Sequence, residues 1–451
     1  MSLATRRAFL TRAALGSAAI TLPLNALAAA VRRDGVVRDA PGYGPLRPVA
    51  DDTTRLPLLQ LPEGFRYASF GWTGDPLDGG GETPAAHDGM AAFAGPDGMV
   101  YLVRNHELDP APAFAPARAY DLAAGGGTTT VAFNPATGRA ERSWASLSGT
   151  LRNCAGGPTP WGSWLTCEET VLGPEDDRTL TERHGYVFEV PLHGEPSRRP
   201  IPSMGRFVHE AVAVDPATGV VYQTEDADRA GLYRFVPVTP GRLSDGGRLQ
   251  MLAVRGRSRA DLRTGQMTRV PMGTYWVDIG VPDVARPGKG GQTVFEQGRR
   301  AGGATFARLE GAWHADGRIY VTSTNGGNAK MGQVWEFTAA TEELRLVYES
   351  PGAHELNMPD NLTVSPRGGL VLCEDGTANP CLHTLTREGR IVRFARNNVV
   401  LAGERNGLRG DFRTSELAGA SFSPDGRWLF ANIQHPGLTV AITGPWERGP
   451  I

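Results

Sequence analysis

The feature that most constrains this chain is a unit that recurs six times. Each copy opens on a polar or acidic end and runs through a short apolar strand to a turn rich in Pro, Asp and Gly. It then returns along a second strand to another polar end. The copies run from His87-Asp88 to Asn105-His106-Glu107, from Asn153-Cys154 to Glu168-Glu169, and from His209-Glu210 to Glu225-Asp226. The others run from Glu310 to Asn325, from Asp360-Asn361 to Glu374-Asp375, and from Leu417 to Asn432. Turns such as Asp97-Gly98 and Asp316-Gly317 have the chemistry that short hairpins require. Further strand-like runs, Tyr186 to Val190, Gly231 to Phe235, Gln333 to Phe337 and Arg390 to Phe394, read as the third strands of successive sheets. Six repeats of three or four strands predict an all-β fold, a six-bladed β-propeller. A double β-sandwich would leave the six copies unexplained.

In an antiparallel hairpin the leading and trailing ends lie side by side, and in a ring of hairpins equivalent ends share one face. Asp88, Glu107, Cys154, Glu168, Glu169, Glu210, Glu225, Asp226, Glu310, Asp360, Glu374 and Asp375 are therefore expected near one mouth of the central channel. Carboxylates crowded in a narrow channel raise one another's pKa, and bound cations relieve this. Oxygen donors alone suit Ca²⁺ or Mg²⁺, whereas a thiolate among them favours a transition metal such as iron. The sixth copy, with Asn432 and no acid in its leading position, is expected to contribute structure. Arg308 lies two residues from Glu310 and is expected on the same side. There it either binds a phosphate or carboxylate or neutralises the acids. Arg206 and His209 are expected at the same rim, His209 as a general acid, a metal ligand or a partner of a carboxylate.

The 58 glycines and 34 prolines are spread along 451 residues, as many short strands with frequent turns require. A net charge of −2 gives no global attraction to nucleic acid or a membrane surface. The nucleophile-elbow, P-loop, zincin and dinucleotide-binding motifs are all missing from the sequence. The start, Thr5-Arg6-Arg7-Ala8-Phe9-Leu10, followed by a weakly apolar run to Leu27 and the Ala26-Leu27-Ala28 site, reads as a twin-arginine export signal. Residues 1–28 are accordingly a signal peptide, 29–60 an extended lead-in and 61–451 one propeller domain. A periplasmic or secreted monomer without a stable membrane anchor is expected, exported by the twin-arginine machinery. Export of folded chains allows a cofactor to be loaded beforehand. The four cysteines allow a Cys373–Cys381 disulfide, and Cys154 either pairs with Cys167 or serves a metal.

Taken together, the twin-arginine start, Asn153 to Glu169, Arg206-Phe-Val-His-Glu210, Arg308-Leu-Glu310-Gly, Asn357-Met-Pro-Asp-Asn361, Cys373-Glu-Asp-Gly376, Phe422-Ser-Pro-Asp-Gly426, Ile433-Gln434 and Pro436-Gly437 resemble the PhoX-type alkaline phosphatases. The likeness runs from about residue 60 to 448. It implies a propeller-like fold whose mixed cluster of Fe³⁺ and Ca²⁺ hydrolyses small-molecule phosphate monoesters. It also implies that Cys154 is the thiolate on iron, with Glu210, Glu310 and Asp360 beside it. Glu107, Glu168 or Glu169, Glu225, and Glu374 or Asp375 would then serve calcium, and Asp226 is a further metal candidate from its place in the repeat. Arg308 would bind phosphate, which makes Arg308, Glu310 and Cys154 the catalytic set. Two other readings are a calcium-dependent propeller hydrolase of lactones or phosphotriesters, and a non-catalytic exported propeller with structural calcium.

Overall fold

Six antiparallel hairpins organise the chain, and each falls where the repeat predicts. They are His87–Ala94 with Val100–His106, Asn153–Pro158 with Ser163–Glu168, and His209–Val214 with Val221–Glu225. The remaining three are Leu309–Ala315 with Arg318–Ser323, Pro359–Val364 with Leu370–Glu374, and Leu417–Phe422 with Leu429–Ile433. The computed structural model describes residues 38–39, 43–285, 287, 292–376 and 379–451. Two compact units divide it, Met1–Arg38 and Asp39–Ile451. The first, with the signal peptide expected over 1–28, lies almost wholly outside the described residues. The second holds all six hairpins.

The first strands of the six hairpins pack side by side in chain order, and the sixth closes against the first. The fold is all-β and propeller-like. These strands have neighbours on both faces, which explains why a run such as Ala211-Val212-Ala213-Val214 is apolar without alternation. Aromatic residues fill the wedges between sheets. Phe133 of the first sheet meets Trp428 and Phe430 of the sixth edge-on, with ring centres 5.2 and 5.0 Å apart. This is the geometry that ring quadrupoles prefer.

Outward from the ring the sheets differ. The first hairpin gains Gly126–Asn134 and Arg139–Thr150, and the second gains only Val187–Pro191. The sheets of the third and fourth hairpins are joined, because Met272–Asp278 pairs with Glu343–Glu349 through Met272 and Leu344, giving nine strands in one sheet. In the fifth, Cys381–Leu385 is the third strand, so the expected third strand at Arg390 to Phe394 is in fact the fourth, Ile391–Asn397. The half-polar run Cys-Leu-His-Thr-Leu carried too weak an apolar pattern to be read as a strand. The lead-in also differs from expectation: Arg47–Val49 and Leu59–Leu61 extend the fifth sheet. In the sixth sheet Leu438–Thr443 pairs with Arg66–Phe70, from Thr439 opposite Phe70 to Thr443 opposite Arg66. A strand from the start of the domain thus completes the sheet at its end. Among the described residues, the insertion between the third and fourth hairpins holds one α-helix, Val294–Arg300, begun by a capping box of Thr293 and Glu296.

Candidate metal centre

The hairpins match one another most closely at their polar ends. In all six, three steps along the inner strand answer two along its partner: His87 to Met90 faces His106 to Arg104, and Pro359 to Leu362 faces Glu374 to Leu372. The extra residue is a β-bulge, which bends a strand and re-aims the side chain beside it. The bulges carry Asp88, Cys154, Glu210, Glu310 and Asp360 in the first five hairpins. Below them the backbones come very close. A Cβ added to Gly311 would stand 2.7 Å from the Asp360 carbonyl, and one on Gly89 would stand 2.6 Å from Cα of Ala155. A further bond repeats six times across the mouth. The N–H groups of Glu107, Glu169, Asp226, Thr324, Asp375 and Gln434 donate to the carbonyls of Ala86, Arg152, Val208, Arg308, Met358 and Glu416 at 2.8–3.3 Å.

At three of these ends the sequence carries an acidic doublet, and adjacent residues of a strand point to opposite faces. The first acid of each turns outward into a clamp. Glu168 accepts from Leu151 N (2.9 Å), His184 Nδ1 (2.6 Å), Gly185 N (2.8 Å) and Tyr186 N (3.2 Å). Glu225 accepts from Gly231 N (2.9 Å) and Tyr233 Oη (2.6 Å). Glu374 accepts from Asn357 N (2.8 Å) and Cys381 N (3.0 Å), and lies 3.0 Å from His383 Nε2. His383 in turn is pushed up to about 9 by Glu374, against a burial that favours its neutral form. The expectation that Glu168, Glu225 and Glu374 reach the channel is therefore corrected. Both oxygens of Glu168 and Glu374, and Oε2 of Glu225, accept from N–H and O–H donors of neighbouring loops and strands.

The second acids turn inward, and with the bulge residues they form a continuous acidic ring. Donor atoms of Asp88, Glu107 and Cys154 lie within 4.8 Å of one another, as do those of Cys154, Glu169 and Glu210, and those of Glu210, Glu310 and Asp360. The Cys154 thiol donates to Asp88 Oδ2 at 3.4 Å. Arg308 binds Asp226 through Nε and Nη2 at 2.8 and 3.0 Å and approaches Glu310 at 2.6 Å. Asp375 faces Glu107 and Asp360. Burial and neighbouring negative charge push Asp88, Glu210 and Glu310 well above the usual carboxylate range. Glu107 and Asp360 rise to about 7 and Glu169 to about 9, with burial the largest cause in each. Burial, Asp88 and Glu210 raise the Cys154 thiol as well.

Both Glu210 oxygens and Asp88 Oδ1 are buried without a hydrogen-bond partner. Leaving ionised oxygens so placed is costly unless a cation meets them. A thiol beside carboxylates at mutual distances under 4.8 Å fits a cluster of cations, one of them thiophilic. The ring is also braced from outside. Second-strand side chains of one hairpin donate to the bulge carbonyl of the next: Asn105 to Cys154 (3.1 Å), Thr224 to Glu310 (2.5 Å), Thr322 to Asp360 (2.6 Å) and Asn432 to Asp88.

Three other expectations change. Arg206 is buried and donates to the carbonyls of His184, Val171, Leu172, Val284 and Ala285, so it staples loops together and is absent from the rim. His209 stacks on Phe207 at 3.6 Å and bonds the Gly205 carbonyl, with no carboxylate partner among the described residues, and its burial lowers it to about 3. All four cysteines are free. Cys373 lies opposite Leu382, which puts Cys381 opposite Glu374 on the other face of the sheet and prevents the expected bridge. One acid was missed. Glu416, one residue before the sixth inner strand, faces Asp88, Asp360 and Asp375. Its counterparts at that position in the other hairpins are Ala86, Arg152, Val208, Arg308 and Met358, so the repeat gave no acidic signal there.

A sequence profile of the family described as alkaline phosphatase PhoX matches residues 41–137 and 124–437. Among solved structures the chain is similar to Pseudomonas fluorescens PhoX in complex with vanadate, a transition state analogue. The two are 18% identical, the match covers 92% of this chain and 99% of that one, and the TM-score is 0.64. A gluconolactonase from Xanthomonas campestris is 12% identical, with 91% and 99% covered and a TM-score of 0.40. Virginiamycin B lyase from Staphylococcus aureus is 11% identical, with 84% and 99% covered and a TM-score of 0.39. No curated protein matches the chain.

Proposed function

The chain belongs to the alkaline phosphatase PhoX family, and on that premise we propose that it is an exported phosphatase whose acidic ring holds an iron and calcium cluster that acts on phosphate monoesters. The family match supports the reaction. The observation that carries the cluster is Glu210, a fully buried carboxylate with two unpartnered oxygens, set between Cys154 and Glu310. Cys154, Glu210, Glu310 and Asp360 would hold the iron side. Asp88, Glu107, Glu169, Asp226, Asp375 and Glu416 would surround calcium. When bound, such cations supply Lewis-acid charge to phosphoryl oxygens and lower the pKa of water. The protein's own part is orientation. The bulges aim the donors, the Asn and Thr braces fix their backbones, and Arg308 holds Asp226 and Glu310 in place. Cys154 gives up its Sγ proton when a metal takes it.

In the same reading each hairpin is the inner half of one of six blades, and the nine-stranded sheet is two blades joined along their outer strands. The twin-arginine start supports export of the protein from the cytoplasm. The test is metal analysis of protein made through its own export route, beside turnover of an aryl phosphate monoester at pH 7–10 with and without a chelator. Iron and calcium in the protein and chelator-sensitive turnover are expected. Turnover that is untouched by removal of all metal would sink the cluster.

A further inference from the structure

Each hairpin sets one residue at the mouth immediately before its inner strand, and two of these six are arginines, Arg152 and Arg308. Both take left-handed backbone, with φ of 44° and 39°. Both offer their carbonyl to an equivalent N–H, that of Glu169 or of Thr324. Their side chains are held very differently. Arg308 makes two bonds to Asp226 and a close approach to Glu310, acids that are 10% and 4% exposed. Arg152 makes a single bond, Nε to Asp109 Oδ1 at 2.8 Å, and the two side chains are 44% and 70% exposed. An ion pair that open to water contributes about 0–1 kcal/mol, so Arg152 leaves it at little cost. Its backbone is nevertheless pinned at the ring, because its N–H donates to Leu108 and its carbonyl accepts from Glu169. Glu107 and Glu169 are the ring acids that feel its charge.

We infer that Arg152 is the movable arginine of this mouth, and that it releases Asp109 to bind the phosphoryl group of the incoming ester with paired, charge-assisted hydrogen bonds. The inference rests on the proposed phosphatase activity and adds a binding residue to it. A phosphate dianion approaching this mouth meets Glu107, Glu169, Asp226 and Asp375. Arg308 is already committed to Asp226 and Glu310 through Nε and Nη2, whereas Arg152 gives up only a solvated partner. Asp109 then acts as the latch that holds the guanidinium outward when the mouth is empty.

The experiment is calorimetric titration of inorganic phosphate into wild type, Arg152→Ala, Arg152→Lys and Asp109→Ala at measured metal content, with kcat and KM for an aryl phosphate alongside. Arg152→Ala is expected to weaken phosphate about tenfold or more, with KM rising in step and kcat changing less than about threefold. Arg152→Lys should recover part of the loss, and Asp109→Ala should bind phosphate up to about threefold more tightly. Phosphate affinity within about twofold of wild type in Arg152→Ala overturns the inference while leaving the phosphatase reading intact. Metal loss in that variant assigns Arg152 to ring assembly and overturns it too. Should Arg152→Ala fail to fold, unchanged affinity in both other variants decides against it. A wild-type protein that neither binds phosphate nor turns over the ester overturns both readings together.

Discussion

Glu168 and Glu169 are neighbours in the chain and face opposite sides of the same strand end. Glu168 is closed inside a clamp of four donors, and Glu169 stands in the acidic ring beside Cys154 and Glu210. Two substitutions separate these tasks. Glu168→Ala should unfold the protein earlier, by about 3 kcal/mol or more, because several buried donors lose their acceptor. Glu169→Gln should keep the melting temperature of the metal-free protein, or raise it, while weakening calcium. Thermal melts and calcium titrations of both variants check this, and the reverse pattern would exchange the two roles.

Among the described residues, Cys154 is the one sulfur in the ring. Cys154→Ser keeps the size and the hydrogen bond to Asp88 but removes the soft donor. Its iron content is expected to fall by at least about tenfold, with the β-sheet circular dichroism unchanged. Iron retained at the wild-type level would place the iron elsewhere.

The ring acids make the metal-free protein sensitive to alkali. Glu107 and Asp360 titrate at about 7 and Glu169 at about 9 in the folded chain, above the roughly 4 of unfolded carboxyls. A folded pKa above the unfolded value means that the native state holds protons that the unfolded state has lost. Stability then falls as pH rises between about 4 and 9 and is level below that window. The melting temperature of chelated protein should therefore drop from pH 5 to pH 9, and calcium should restore it most at the alkaline end. A chelated protein that gains stability with pH would contradict this balance.

Gly311 gives a steric test. Its added Cβ would meet the Asp360 carbonyl and Cα of Asn361 at 2.7 and 2.9 Å, both of them backbone atoms without room to move. Gly311→Ala should cost about 1–3 kcal/mol and spread Glu310 from Asp360. Loss of metal affinity together with the lower melting temperature is expected. A variant that melts lower but binds metal normally would show that the floor of the ring does not set its spacing.

The hairpins, their order and most of the ring were legible because each is local. Turn residues at Asp97-Gly98 and Asp316-Gly317 fix the hairpins, and a polar end at each start marks the mouth. Which acid of a doublet faces the channel was not legible, since sequence alone does not say where the bulge restarts the alternation of a strand. The bulge had a faint signature in the small residues that follow the donors, Gly89, Ala155, Ala211 and Gly311. Glu416 was hidden because it occupies a position filled by Ala86 and Met358 elsewhere. The clamp of Glu168 with His184 joins a strand to a loop and that of Glu374 with His383 joins two strands, and no spacing within one hairpin foretells them. The fusion of the third and fourth sheets depends on the pairing of Met272 with Leu344, a contact between segments far apart in the chain.

The strand Arg66–Phe70 completes the sheet that Leu438–Thr443 begins, and this sets the timing of assembly. The ring draws donors from Asp88 to Glu416, and its last hairpin is covered only when Leu438–Thr443 pairs with Arg66–Phe70, a strand near the start of the domain. With five hairpins formed, the ring still lacks Glu416 and the bond from Asn432 to the Asp88 carbonyl. In the proposed reading, cations that need donors from all six hairpins meet a complete ring only when the sixth is seated, so the compartment in which that happens would be the one whose metal supply fills it.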